Sequence, residues 1–329
     1  RRQRLVRVAV HFLDFLTSRG FYIANKSHSN YIYSAHSLAS SLNFDYLDVL
    51  LPQMNPSAHT TLPLREQIEN NRVFSLLKAI GYKTVVFSNG YSFKSKDSVD
   101  IFYGIANYQN NFFDKLLDNT PLFIILQRRQ YDLHRARIRY TLDNLPQATT
   151  IPGPKIVVAH IISPHPPFVF DAIGEPLYPA RKFGIDDGSD FIMLGSLEEY
   201  RKGYRDQAIF ISNEMKTVVD LLLSQSSQPP VIVIQGDHGP RAGMDYHNIA
   251  NTNLYECFPI LNAYYFPGID SSPLYPEISP VNTFRIIFNA YFNAQYPLLE
   301  EHFYASTSLE TFNFTDVSEL LKNQTPPHP

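Results

Sequence analysis

The stretch Val231-Ile232-Val233-Ile234-Gln235-Gly236-Asp237-His238-Gly239 decides the fold class of this 329-residue chain. Its first half is short, β-branched and preceded by two prolines, which predicts a buried strand. Ligand sites in open α/β sheets lie just beyond the carboxyl ends of such strands. The two flanking glycines allow a sharp turn, so the side chains of Asp237 and His238 can converge on one point. The stretch therefore indicates an α/β protein with a site at this strand end.

The adjacent acid and imidazole predict a metal site. A carboxylate beside an imidazole suits a divalent ion such as Zn²⁺ or Mn²⁺. The alternative interpretation is a strand-end turn in which Asp237 caps the backbone and His238 lies at the surface. We expect Asp237 and His238 to be metal ligands.

Composition excludes some functions. The formal net charge is −3 and there is no long basic run, which disfavours nucleic-acid binding. Hydrophobic residues make up 44% of the chain and charged residues 18%, as expected for a globular protein with a sizeable core. Cys257 is the single cysteine, so an internal disulfide is impossible. No stretch approaches the roughly 20 apolar residues that span a bilayer.

Apolar spacing predicts alternating helices and strands. The first predicted helix ends near Gly20, and the others cover 63–80, 121–145, 200–222 and 281–291. The predicted strands cover 21–24, 83–88, 155–163, 231–235 and 259–266. The unit from 155 to 235 predicts a parallel strand pair with a right-handed helical connection. Segments 90–111 and 164–196 predict loops. We expect a single domain over 1–304 and a loose polar tail over 305–329.

Ser34 is the candidate nucleophile. It precedes a predicted helix N-terminus, where the helix field and free N–H groups favour negative charge. A metal at the acid–imidazole pair could lower the pKa of its hydroxyl and align it for attack on phosphorus. An N-terminal helix cap is the competing role, and Ser37 is an equally plausible cap.

Three histidines and one aspartate remain to be placed. His165 lies between prolines just past a predicted strand end, where it can bind a phosphoryl oxygen or protonate a leaving group; a rigid surface turn is the alternative. His160 lies inside that predicted strand, which predicts a hydrogen-bonded core histidine. His247 follows the metal motif closely and is a candidate substrate-binding or second-site residue, as is Asp245; exposed surface residues are the alternative.

Five ordered segments together resemble one family. They are the segments 29–43 (around Ser34), 160–168, 235–240, 260–265 and 279–285. This set resembles bacterial sulfatase-like membrane proteins of the alkaline phosphatase superfamily, which include lipoteichoic acid synthases and phosphoethanolamine transferases. The resemblance runs from about residue 12 to residue 303.

The resemblance implies a fold and an activity. The expected fold is a three-layer α/β/α sandwich with a largely parallel central sheet. The expected activity is metal-dependent hydrolysis or transfer at a phosphate or sulfate ester of the cell envelope, on a small-molecule or lipid-linked substrate. Carried over by position, Ser34 is the nucleophile, Asp237 and His238 bind a divalent ion (Zn, Mn, Mg or Ca), and His165 contacts the substrate. The domain is expected outside the cytoplasm, attached to the membrane through a segment absent here.

Two departures qualify these expectations. The segment Ser34-Ala35-His36-Ser37-Leu38 lacks the proline and arginine that direct maturation of a formylglycine sulfatase, which disfavours true sulfatase activity. In the family, a first strand with an acidic metal ligand precedes the helix that 6–20 matches, and this chain begins inside that helix; Asp14, on the helix, is no substitute. Either the sequence is an N-terminally truncated fragment or the protein lacks one ligand. The alternative function is therefore a non-catalytic sulfatase-like domain with an incomplete metal site.

Overall fold

The protein is described from a computed structural model. The structure describes residues 2–58, 60–90, 93, 98–105, 123–179, 181, 183–184, 191–192, 195–270 and 273–322. The chain forms two compact units, the first from Arg1–Phe12 and Tyr82–Ser227 and the second from Leu13–Gly81 and Gln228–Pro329. Parts of the predicted loops at 90–111 and 164–196 lie outside the described residues. The single-domain assignment stays a prediction.

A parallel sheet lies in the first unit. Strand β2 (Lys83–Phe87) pairs in parallel with β3 (Ile101–Tyr103) on one side and with β4 (Lys155–Ala159) on the other. Val85 and Val86 point to opposite faces of β2, yet both are fully buried. A strand covered on both faces is continuously apolar, which is why the sequence pattern revealed it. Strand β3 lies within the predicted loop, because three residues are too few to show a period.

Two long helices build the apolar core of the first unit. They are α6 (Phe123–Asn144) and α7 (Leu197–Gln225), close to their predicted bounds. Their apolar faces and the segment after β4 supply one cluster: Tyr131, Ile138, Leu142, Val169, Phe170, Phe210 and Val218. Ser196 begins α7, since its hydroxyl accepts the N–H of Glu199 over 3.1 Å.

An antiparallel sheet in the second unit contains the strand that carries the acid–imidazole pair. Strand β5 (Ile232–Gln235) pairs with β6 (Asn262–Tyr265), and β6 pairs with β1 (Tyr22–Ile23), both antiparallel. The sequence predicts β5 in parallel beside β4, whereas the structure pairs β4 with β2 and β5 with β6. Periodicity identifies a strand, but its partner depends on long-range packing.

Within the described residues, the second unit contains three predicted helices, three short helices that the sequence analysis did not predict, and two helices where it predicted one. They are α1 (Arg2–Ser18), whose first turns belong to the first unit, α2 (Ser34–Asn43), α3 (Leu47–Leu50), α4 (Leu62–Glu69), α5 (Arg72–Ala79), α8 (Leu254–Cys257), α9 (Pro280–Phe292) and α10 (Ser318–Lys322). The single helix predicted over 63–80 is wrong. The buried side chain of Asn71 accepts the N–H of Phe74 over 2.8 Å and donates to the Ile68 carbonyl over 2.9 Å. Asn71 thus closes α4 and begins α5.

The C-terminal segment is ordered up to residue 322. Strand β7 (Tyr304–Ala305) pairs antiparallel with β8 (Thr315–Asp316). Val317 and Leu321 pack into a buried cluster with Phe258. This packing differs from the loose tail expected from 305 onward, because the few apolar residues of a polar segment anchor it. Residues 323–329 lie outside the described residues.

Candidate active site

Ser34 and His238, identified from separate motifs, lie together in the second unit. The Ser34 Oγ is 3.1 Å from Nε2 of His238. The serine is half-buried and the histidine side chain is 8% exposed. The structure therefore places a hydroxyl against an imidazole at the end of β5, where the sequence predicts a site.

The hydroxyl of Ser34 is not used to cap its own helix. Tyr33 is the N-cap residue of α2, with extended backbone and no side-chain cap, and Ser34 is the first helical residue. The Ser34 Oγ thus lies at the positive end of the helix dipole. The buried hydroxyl of Ser37 donates to the Tyr31 carbonyl over 3.0 Å, which is a structural role. Geometry therefore favours Ser34 over Ser37.

A buried asparagine anchors the chain that leads into Ser34. Asn30 donates through Nδ2 to the Ser279 hydroxyl over 2.8 Å and to the His302 carbonyl over 3.0 Å. Its Oδ1 accepts the N–H of Val281 over 2.9 Å. All the hydrogen-bonding groups of this side chain are used inside the fold, so the segment entering α2 is held to α9.

The glycine after the acid–imidazole pair is required by close packing. The N–H of Gly239 donates to the Cys257 carbonyl over 2.7 Å. A Cβ atom at Gly239 would overlap the backbone carbonyls of Glu256 and Cys257. The φ angles of Gly236 and Gly239 lie outside the left-handed region, so close approach rather than a sharp turn explains the second glycine.

The imidazole of His238 has a defined tautomer. Its Nδ1 is 2.7 Å from the carbonyl oxygen of Gly239, so Nδ1 carries the hydrogen and donates it. Nε2 then presents its lone pair to Ser34. The backbone N–H of His238 donates to Asp237 Oδ1 over 3.0 Å, which also fixes the carboxylate. Both side chains are therefore oriented before anything binds.

The donor atoms at this site fit a divalent ion. Asp237 Oδ2 lies 3.8 Å from His238 Nε2. Two ligands bound tetrahedrally at about 2.1 Å would lie about 3.4 Å apart, so a small adjustment suffices. An imidazole whose other nitrogen donates to a carbonyl is the usual arrangement of a metal-binding histidine. Within the described part of the chain, no group of three or more His, Cys, Asp or Glu side chains converges. The Ser34 hydroxyl, 3.1 Å from His238 Nε2, is a candidate third donor.

The structure adds an arginine that the sequence analysis missed. Nη2 of Arg241 is 3.2 Å from His238 Nε2 and donates to the Ile32 carbonyl over 3.1 Å. Its guanidinium lies over the ring of Tyr33, 4.8 Å from the centroid. The only sequence signal for Arg241 was its position three residues after His238. This spacing alone does not predict that the guanidinium contacts the imidazole.

His165 lies in the first unit, just beyond β4. The peptide bonds Ser163-Pro164 and Pro166-Pro167, on either side of His165, are cis. Its carbonyl accepts from Gln207 Nε2 over 3.0 Å, and its Nδ1 contacts the Pro166 carbonyl. The substrate-contacting role of His165 stays a prediction.

A buried histidine lies near His165. His134 is 1% exposed, and burial lowers its pKa to about 3, aided by the charges of His165, Arg137 and Arg135. With His160 and Arg137, it lines a cavity of about 10 Å³. His160 follows β4 and is half-buried, so its prediction as a core strand residue is corrected.

His247 and Asp245 lie in the loop after the acid–imidazole pair. The Asp245 carboxylate accepts from the Asn251 side chain and from the backbone N–H groups of His247 and Asn248, and these bonds, the first above all, lower its pKa. Asp245 therefore organises the loop. His247 is exposed, and its proposed contact with substrate stays a prediction.

The fold and the strand-end site define an α/β protein of alkaline phosphatase type. The sequence model of the Sulfatase family matches residues 7–268. The chain therefore belongs to the sulfatase family, which confirms the resemblance drawn from its motifs. No curated protein matches the chain.

Solved structures share the fold of this chain. The C-terminal periplasmic domain of EcEptC from Escherichia coli aligns with a TM-score of 0.56 at 14% identity, over 93% of this chain and 84% of that one. The C-terminal periplasmic domain of phosphoethanolamine transferase EptC from Campylobacter jejuni aligns with a TM-score of 0.52 at 13% identity, over 91% and 84%. At these identities the similarity establishes the fold.

Proposed function

We propose that this protein hydrolyses or transfers a phosphate (or sulfate) ester of the cell envelope, with Ser34 as the nucleophile. The observation that carries the proposal is the 3.1 Å contact between the Ser34 hydroxyl and the lone pair of His238 Nε2. Phosphoethanolamine transferase activity belongs to one structural relative by name, and it supports a phosphate ester as the first substrate class to test.

The proposed reaction has two steps. Ser34 Oγ attacks phosphorus, the Oγ–P bond forms, the bond from phosphorus to the ester oxygen breaks, and the departing alkoxide takes a proton. The Ser34 proton passes to solvent. A water or an acceptor alcohol then attacks the phosphoserine, loses its own proton and releases Ser34 with its proton restored. Before the ion binds, the hydrogen bond to His238 Nε2 holds Oγ in place.

Asp237 and His238, with Ser34, are the residues that would hold the divalent ion. Such an ion lowers the pKa of a bound hydroxyl and screens the charge that develops at phosphorus. The Nδ1–H bond to Gly239 keeps the Nε2 lone pair of His238 directed outward. The identity of the ion (Zn, Mn, Mg or Ca) is not specified by these donors.

Two further histidines complete the proposal. His165 positions the ester or protonates the leaving oxygen, and His247 contacts the substrate. Imidazole is the side chain most often used in general acid–base chemistry.

The proposed location is extracytoplasmic. Both EptC structures are periplasmic domains. A lipid-linked ester is therefore a reasonable substrate, with membrane attachment through a segment outside this sequence. Among the helices in the described residues, none is both long and apolar enough for a membrane crossing.

Replacement of Ser34 tests the nucleophile. Ser34→Ala should abolish turnover of an aryl phosphate or phosphodiester in the presence of Zn²⁺ or Mn²⁺ and leave the circular dichroism spectrum unchanged. Ser37→Ala is the matched control; it loses the buried bond to Tyr31 and should keep activity at slightly lower stability. Full activity in Ser34→Ala would remove Ser34 from this role.

A non-catalytic sulfatase-like domain is the second candidate. It is favoured by the pairing of Asp237 and His238 with no third His, Cys, Asp or Glu beside them in the described residues. Metal analysis of the purified protein separates the two functions. A stoichiometric, tightly held ion supports the enzyme, whereas no ion and no thermal shift on adding Zn²⁺ or Mn²⁺ supports the non-catalytic domain.

A further inference from the structure

The C-terminal strap, which we define as residues 304–317, lies against the segment that carries the candidate nucleophile. At its start, the N–H of Tyr304 donates to the carbonyl of Asn30 over 2.8 Å. Ile32 shares a buried apolar cluster with one residue near each end of the strap. The strap lies beyond residues 7–268, which the Sulfatase family model matches. Part of the chain outside that match therefore packs beside the site.

One aromatic side chain of the strap contacts the chain on both sides of Ser34. The ring of Phe314 packs edge-on against the ring of Tyr31, with centroids 5.2 Å apart. It also packs edge-on against the imidazole of His36, with centroids 5.7 Å apart. Tyr31 precedes Ser34 by three positions and His36 follows it by two. Phe314 thus bridges the chain across the first turn of α2.

The imidazole of His36 is enclosed by aromatic rings. His36 is 2% exposed. Besides Phe314, the ring of Phe312 lies 5.3 Å from it and the ring of Tyr33 lies 5.7 Å from it, centroid to centroid. Removal of a phenylalanine ring from the strap leaves a cavity at this position, which its neighbours fill only in part. The first turn of α2 is then free to shift toward the strap.

The strap is also bonded to the loop that follows the acid–imidazole pair. The N–H of Ser308 donates to the carbonyl of Tyr246 over 2.9 Å, and its hydroxyl donates to the same oxygen over 3.2 Å. Tyr246 lies eight positions after His238. One segment therefore contacts both the chain around Ser34 and the chain beyond His238. A misplacement of about 1 Å between two such groups can lower the rate about 100-fold.

We propose that the C-terminal strap sets the position of Ser34 relative to His238, with Phe314 as the positioning residue. Phe314 acts through Tyr31 and His36 and takes no part in the bond changes. Its effect on turnover rests on the proposed function. Its effect on the order of the Ser34 segment needs no turnover, so the two can be measured separately.

Kinetics of Phe314 variants test the effect on turnover. Phe314→Ala should lower kcat for an aryl phosphate at least about tenfold and leave KM within about twofold, because the hydroxyl moves while the ester-binding groups stay. Phe314→Tyr keeps the ring and should keep kcat. Leu309→Ala is the matched control on the strap, since Leu309 is 57% exposed, and it should behave as wild type. Phe314→Leu carries the same test if thermal unfolding shows that Phe314→Ala is not folded.

A general loss of stability is separated by a variant far from the strap in the chain. Val86 is fully buried in β2 of the first unit. Val86→Ala should lower the melting temperature without lowering kcat. An equal loss of kcat in Val86→Ala and Phe314→Ala would overturn the proposal.

Hydrogen–deuterium exchange, followed by mass spectrometry, gives a readout that needs no activity. Peptides that cover 30–43 should exchange faster in Phe314→Ala than in wild type and in Val86→Ala. Unchanged exchange in these peptides, or an unchanged kcat in Phe314→Ala, would overturn the proposal. An absence of turnover in the wild-type protein counts against the proposed function alone, and exchange then decides whether the strap orders the Ser34 segment.

Discussion

The hydroxyl oxygen of Ser34 lies 3.1 Å from Nε2 of His238, although 204 positions separate the two residues in the chain. One stands on the first turn of α2 and the other follows β5. The contact fixes the donor and acceptor roles, since Nδ1 of the imidazole already donates to Gly239. A hydroxyl held in this way is prepared for the chemistry proposed here.

Replacement of the carboxylate tests the ion site. Asp237→Asn should lower Zn²⁺ affinity at least about tenfold, because an amide is a weaker ligand than a carboxylate. Metal content after dialysis and isothermal titration measure the change. Asp245→Asn is the control, since its carboxylate bonds to backbone and Asn251 in the following loop. Unchanged affinity in Asp237→Asn would exclude it as a ligand.

Packing at Gly239 gives a stability prediction. Gly239→Ala should lower the free energy of unfolding by about 2 kcal/mol or more, because the added methyl overlaps the carbonyls of Glu256 and Cys257. Urea denaturation measures this. At Gly236 the nearest atom to an added methyl is the Ile260 Cβ at 3.3 Å, so Gly236→Ala should cost less. The reverse order would contradict the packing argument.

Two adjacent leucines test the order of the C-terminal segment. Leu321 is 6% exposed and Leu320 is 52% exposed. Leu321→Ala should destabilise the protein by about 2 to 3 kcal/mol, as expected for a buried leucine. Leu320→Ala should change stability by less than about 0.5 kcal/mol. Equal effects in a denaturant titration would mean that this segment does not pack as described.

Buried histidines predict acid sensitivity. Burial lowers the pKa of His134 from 6.5 to about 3, so between these values the unfolded chain binds a proton that the folded chain does not. Stability is then fully present above pH 6.5 and is lost as the pH falls, by up to about 1.4 kcal/mol per pH unit for one group. His134→Phe, which keeps a ring against Phe183, should therefore lose less stability than wild type between pH 7 and pH 5.

The measurement is the melting temperature at both pH values. His247→Asn is the matched control, because His247 is exposed, and it should keep the wild-type pH dependence. His36 is buried in the second unit, and burial lowers its pKa to about 3 as well, so some pH dependence remains in His134→Phe. An identical pH dependence of the melting temperature in wild type and His134→Phe would contradict the prediction.

Strong local patterns predicted most elements but not their partners. The apolar run of β2 and the spacing of α7 were visible because burial on both faces, or on one helical face, imposes a residue period. The break between α4 and α5 was missed, since Asn71 acts through hydrogen bonds that apolar periodicity does not record. The antiparallel pairing of β5 with β6 was missed for a related reason: strand order follows long-range packing.

By itself the sequence determined the family, the strand-end position of Asp237 and His238, and Ser34 as the candidate hydroxyl. Local periodicity and motifs depend on residues that are close together in the chain, so they can be recognised from the sequence alone. Only the tertiary structure decided that Ser34 contacts His238 Nε2, that Gly239 is required by close approach, and that Arg241 belongs to the site. Those contacts join segments far apart in the chain, and only packing of the folded protein brings them together.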